Sequence, residues 1–181
     1  MPRILPVKPD QTDAKTAATL KSVQAKLGML PNLFTTLARA PAALNGYLQL
    51  SESLNQGQLT ARQREMIAIA VAQENVCAYC LSAHAAIGQA VGLGDEDIKR
   101  ARRGGAQDAK DNAVTNLALR IVQSRADISD SDLTAARQGG LDDGLIIEIV
   151  THVALNVLTN YVNRIAGTDV DFPAVDLSPA P

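Results

Sequence analysis

In this chain apolar residues recur at helical spacing in one segment after another, each run is cut off by glycine or proline, and no alternating strand pattern stands out between them. Ala17, Leu20, Val23 and Leu27 share one face of a helix expected over 12–27, which meets Gly28 as its stop signal. Pro31-Asn32 restarts a short helix over 33–39, and Ala40-Pro41 opens another that runs to about Leu54 before Gly57 breaks it. Thr60 and Gln63 have capping-box spacing ahead of Met66, Ile67, Ala70 and Val71, which predicts a helix over 61–73. Beyond Asn75-Val76 a helix over 78–91 is closed by Gly92-Leu93-Gly94. The segments 95–102, 108–124 and 130–137 each begin at an acidic or hydroxyl residue suited to a helix start, and 145–165 is the longest helix. From Gly167 onward, with Pro173, Pro179 and Pro181, the chain reads as an extended tail over 167–181. The expectation is an all-α fold, one helical domain of about eight helices over 1–181.

Composition narrows the core and the partners. Aromatic residues are only 3% and Trp is absent, so Leu, Ile, Val and Ala must fill the interior, which suits closely packed helices. A domain of this size buries roughly 70% of its unfolded surface and needs no staple. Seventeen Lys and Arg against 19 Asp and Glu leave a net charge of -2, with no electrostatic footprint for nucleic acid or anionic lipid. The basic run Lys99, Arg100, Arg102 and Arg103 reads as a solvated helix face. Residues 1–10 carry three prolines and no apolar run of signal-peptide length, so a cytoplasmic address is expected. The greasiest segment, 145–166, is interrupted by Glu148, His152, Asn156 and Arg164, and no membrane span is expected.

The two cysteines, Cys77 and Cys80, lie three positions apart, too close to staple distant parts of a fold, so they serve chemistry, metal binding or nothing. If Cys77, Cys80 and His84 share a helix, successive turns of 100° set them within about 60° of arc. If the helix before Asn75 folds back on the cysteine helix, Glu65 lies roughly 15 Å from the turn and His84 roughly 12 Å, so carboxylate, imidazole and thiols can converge. That convergence has a chemical use. The thiolate is the nucleophile, a thiol near pKa ~8.5 is mostly protonated at neutral pH, and a His, a Glu and a helix N-terminus together favour its ionisation. Other uses compete. Zinc could be held by both cysteines with His84 and His152, although no second cysteine pair exists. Haem attachment requires His directly after the second Cys, where Leu81 stands, and a thioredoxin fold requires a strand before the motif. Two inert core cysteines are the plainest alternative.

The full pattern is Glu65, eleven residues, Cys77-Ala78-Tyr79-Cys80, three residues, His84, with the recognisable region spanning 60–94. It resembles the alkylhydroperoxidase D (AhpD)-like branch of the carboxymuconolactone decarboxylase family, matching every position of that branch's motif. The resemblance implies an AhpD-like helical fold built around an antiparallel helix pair. It implies that Cys80 is the peroxidatic thiol, that Cys77 resolves its sulfenic acid as a disulfide, and that Glu65 and His84 relay protons. It further implies a hydroperoxide substrate, a lipoyl- or thioredoxin-like dithiol donor, no metal or organic cofactor, and a homo-oligomer, since the related family forms trimers and hexamers. On helix-dipole grounds alone Cys77, nearer the N-terminus, would be the attacker. The resemblance points to Cys80, which is one turn from His84. A non-enzymatic redox sensor or disulfide-exchange protein is the alternative from another class. A decarboxylase-like lyase is weaker, because those relatives work without a cysteine pair. On the longest helix, Glu148, His152, Asn156, Asn160 and Asn163 form a polar stripe read as hydrogen-bonded structure. Phe34, Tyr47 and Tyr161 are the bulky candidates for lining a pocket.

Overall fold

The computed structural model describes residues 1–178. Among them are nine α-helices, one at each of the segments expected to be helical, a short 3-10 turn at Pro9–Gln11, and no strand. The helices are α1 Ala14–Leu27, α2 Asn32–Leu37, α3 Pro41–Leu54, α4 Ala61–Glu74, α5 Ala78–Ala90, α6 Asp95–Arg102, α7 Ala109–Ser124, α8 Asp130–Gln138 and α9 Asp143–Ala166. Their ends follow the local chemistry. Gly28 closes α1 with φ 74° and returns its N–H to Gln24 O at 2.9 Å, a left-handed cap that costs glycine little. At the start of α4 the Thr60 hydroxyl accepts from Gln63 N–H and the Gln63 side chain accepts from Thr60 N–H, the reciprocal cap the sequence predicts.

The central element is α4, because it is apolar on every face from Met66 to Ala72 and no residue in that run is more than 3% exposed. It packs against α5, α6, α7 and α9. Two cores flank it. Leu20, Phe34, Leu44, Ile69 and Leu81 belong to one, and Ile67, Val71, Val114, Leu117 and Ile149 to the other. Each such side chain, fully buried, contributes about 1.5–3 kcal/mol of transfer free energy.

By length and composition α9 is the one described helix able to cross a membrane, but half of its apolar window is buried inside the protein. It packs on α4 and α7, and its polar residues His152, Asn156, Asn160 and Asn163 are buried among protein atoms. Ile147, Leu158, Tyr161 and Ile165 face outward along the same helix. From Thr168 to Ser178 the chain has no regular structure and lies as a strap across α5 and α6. Phe172 sets its ring edge-on to Tyr79, Val175 N–H donates to Ser82 Oγ at 3.0 Å, and Gln73 Nε2 donates to Leu177 O at 3.1 Å. Pro179 and Pro181 of the expected tail lie outside the described residues. The solvated-face expectation fails at Arg102, which is partly buried against the strap: its guanidinium donates to Gln73 Oε1 and to the carbonyls of Asp176 and Ser178.

Candidate active site

The site begins where α4 ends. Asn75 caps α4, Val76 takes the left-handed conformation with φ 53°, and Cys77 N–H reaches back to Ala72 O at 2.9 Å. A β-branched residue in that region costs free energy, and it persists here in the turn that sends the chain back along α4. Cys77 is therefore the N-cap of α5 rather than a residue of its first turn, and its sulfur accepts from Cys80 N–H at 3.3 Å. Cys80 sits inside the helix, and the two cysteines are joined as a disulfide. The reversal brings Glu65 to His84, with Oε2 and Nδ1 2.8 Å apart. Both side chains retain some access to solvent, 16% for Glu65 and 23% for His84, while Cys77 and Cys80 are buried.

A cavity of about 430 Å³ opens beside these groups. Cys80, His84 and Glu65 are on its wall, and Cys77 is not. Phe34, Leu48, Leu155 and Phe172 give it an apolar lining, and Tyr47 sets its ring 6.0 Å from that of Phe34. Of the expected bulky liners, Phe34 and Tyr47 are there and Tyr161 is not. Thr159 and Asn163 face the cavity, so Tyr161, two residues from each, is turned about 200° away and lies half-exposed on the outer face of α9.

The polar stripe of α9 divides between two jobs. Part of it is structural: Glu148 accepts from the backbone N–H groups of Gln58 and Leu59, and Asn160 Oδ1 accepts from Asn75 Nδ2 at 2.9 Å. His152, Asn156, Thr159 and Asn163 instead line the cavity opposite α4 and α5. His152 Nε2 is buried without a partner. Asn163 Nδ2 donates to Cys80 Sγ at 3.3 Å. The spacing of 152, 156, 159 and 163 marks these residues as one helix face, but nothing in it signals that this face meets the sulfur.

Electrostatics follow burial. Burial pushes the Tyr47 phenol up to about 12, with the Glu65 carboxylate adding to it. Burial also pushes the Tyr79 phenol well above its usual range, so it serves as a neutral hydroxyl that accepts from Leu33 N–H at 3.1 Å. His152 is held below its ordinary value chiefly by burial, against the pull of Glu148. A neutral, buried wall on α9 thus faces the Glu65–His84 pair on α4 and α5. Among the described residues no three His, Cys, Asp or Glu side chains converge as a metal site, and His84 is engaged by Glu65 through Nδ1.

Residues 41–124 match the sequence model of the carboxymuconolactone decarboxylase family. No curated protein matches the chain. Solved structures share its fold. The alkylhydroperoxidase AhpD core, an uncharacterized peroxidase-related protein from Ralstonia eutropha JMP134, is 24% identical, with a TM-score of 0.85 over 94% of this chain and 92% of that one. An uncharacterized peroxidase-related protein from Silicibacter sp. TM1040 is also 24% identical, with a TM-score of 0.79 over 92% of each chain. The debrominase Bmp8 is 16% identical, with a TM-score of 0.78 over 93% of this chain and 92% of that one. At these identities the likeness establishes the AhpD-like helical fold.

Proposed function

From a chain whose residues 41–124 match the carboxymuconolactone decarboxylase family model and whose fold is AhpD-like, we propose a thiol-dependent peroxidase that reduces hydroperoxides with its cysteine pair. The observation that carries this reading is the 2.8 Å contact of Glu65 with His84 on the same cavity wall as Cys80. Glu65 fixes the ring through Nδ1, leaving Nε2 to exchange a proton. His84 takes the proton of the Cys80 thiol, and the thiolate attacks the terminal oxygen of the hydroperoxide. An S–O bond forms, the O–O bond breaks, and the departing alkoxide collects the proton from His84. Cys80 is left as a sulfenic acid. The Cys77 thiol then attacks Cys80 Sγ, water leaves, and the disulfide closes. A lipoyl- or thioredoxin-like dithiol returns both thiols through a mixed disulfide and is itself oxidised to a disulfide.

The apolar lining favours an organic hydroperoxide, whose hydrocarbon part gains from burial while its O–O bond meets the sulfur. We place the protein in the cytoplasm, where dithiol donors are kept reduced. The outward stripe of Ile147, Leu158, Tyr161 and Ile165 supports self-association into a trimer or hexamer, to be checked by light scattering. The activity is tested by peroxide consumption against a panel of dithiol donors, with Cys77→Ser and Cys80→Ser as controls. Sustained turnover lost in both variants is the expected result. Oxidation of the pair without turnover under any donor would instead favour a sensor.

A further inference from the structure

We propose that Asn163 is a catalytic residue whose side-chain amide anchors the Cys80 thiolate; the proposal rests on the reading of Cys80 as the attacking sulfur. Asn163 reaches Cys80 from α9, is 3% exposed, and lines the same cavity. Among the described residues its side chain makes one hydrogen bond, the 3.3 Å donation from Nδ2 to Cys80 Sγ, and its Oδ1 is buried with no partner.

That is a poor arrangement for a structural asparagine. A disulfide sulfur is a weak acceptor, and burying an amide with one weak bond and one orphan oxygen costs stability that an apolar side chain of the same size would not. The cost is recovered in another state. When the pair is reduced and Cys80 ionises, the same N–H faces a charged acceptor, and such bonds are roughly twice as strong as neutral ones. The site therefore complements the reactive thiolate better than the resting disulfide, which raises the share of Cys80 that is ionised near neutral pH.

The arrangement also bears on the competition between the two sulfurs. Cys77, as the N-cap of α5, receives the backbone N–H of Cys80, so the helix terminus favours ionisation there. Cys80 lies beyond that donor, and the amide from α9 supplies it with one of its own. The unpartnered Oδ1 is left to accept from the hydroperoxide O–H and hold the O–O bond near the sulfur.

Other charged or titratable groups face the same cavity. Glu65 and Arg64 face the cavity from α4, Tyr79 and His84 from α5, Tyr47 from α3 and His152 from α9, and the Lys26–Glu52 ion pair stands on its wall from α1 and α3. These titrate or carry charge, whereas an amide does neither. Removing Asn163 should accordingly shift the Cys80 ionisation curve along the pH axis without changing its shape.

The experiment is a pH titration of thiolate ultraviolet absorbance in a Cys77→Ser background, where Cys80 is the sole thiol, with the double variant Cys77→Ser/Cys80→Ser as blank. Asn163→Leu and Asn163→Ala should raise the midpoint by about one unit, and Asn163→Ser, which keeps a donor, should return part of the shift. The rate of reaction with an organic hydroperoxide near neutral pH should fall about tenfold in the Leu variant and approach the parent's above the new midpoint. If Asn163→Leu does not fold, the Ala and Ser variants carry the comparison. Midpoints unchanged in folded variants overturn the proposal. The titration uses no peroxide, so a shifted midpoint without peroxide consumption would count against the peroxidase reading and leave the anchor standing.

Discussion

The cavity has two walls of different character. On α4 and α5 the polar groups are charged or chargeable, paired with each other and partly open to water: Glu65 with His84, beside the Cys77–Cys80 disulfide. On α9 they are neutral and buried: Asn156, Thr159, Asn163, and a His152 whose charging is opposed by its surroundings. A group that passes protons needs a partner and a path to solvent, whereas a group that holds geometry or stabilises a localised charge works best dry and fixed. Under the proposed function, the first wall is the one that moves protons, and the second sets the environment in which the sulfur reacts.

Substitutions on the first wall should have the largest effect on turnover. Glu65→Gln or His84→Ala is expected to lower kcat/KM for hydroperoxide by about 10²–10⁴-fold while leaving the thermal midpoint nearly unchanged. Asn156→Ala on the opposite wall, which loses a bond to the His152 carbonyl at 2.9 Å, should cost much less than either. Equal losses from both walls would erase the distinction between them.

A second effect is on stability and belongs to α9. Because burial lowers the His152 pKa below 6.5, the unfolded chain binds a proton at this position before the folded chain does. Its contribution is flat above the unfolded value and becomes destabilising as pH falls through it, by at most about 1.4 kcal/mol per pH unit. Urea unfolding of His152→Gln between pH 7.5 and 5 should show a shallower decline than the parent. An unchanged slope would mean that His152 does not resist protonation in the fold.

The strap gives the smallest effect. Arg102→Ala removes donors to the Asp176 and Ser178 carbonyls and should cost about 1 kcal/mol, with faster proteolysis near 172–178. Because Phe172 also lines the cavity, KM should rise more than kcat falls, and the reverse split would place the strap's role elsewhere.

The two walls also differ in how far they could be read ahead of the structure. Glu65, Cys77, Cys80 and His84 lie within twenty residues, so the capping box at Thr60 and the turn at Asn75 are enough to fold one helix onto the other and to place them. The helices themselves follow from periodicity and from stop signals such as Gly28, which is why their bounds move by only a few residues. Asn163 is another matter, since it meets Cys80 across 83 positions of chain. Its contact is set by how α9 rotates against α4 and α5, and periodicity gives a helix's faces without saying which neighbour each face meets. The same ignorance of rotation placed Tyr161 among the cavity liners. Arg102 was misread for a related reason, because no local pattern tells that the tail returns to cover it.

The central claim is that Cys80, held in the cavity beside Glu65 and His84, is the sulfur that meets peroxide. It is tested by treating the reduced Cys77→Ser and Cys80→Ser proteins with one equivalent of an organic hydroperoxide, trapping sulfenic acid with a dimedone-type reagent and locating the adduct by mass spectrometry. The adduct is expected on Cys80 of Cys77→Ser, with little or none on Cys77 of Cys80→Ser. Rapid labelling of Cys77 in Cys80→Ser, with Cys80 unlabelled in the other protein, would contradict the account.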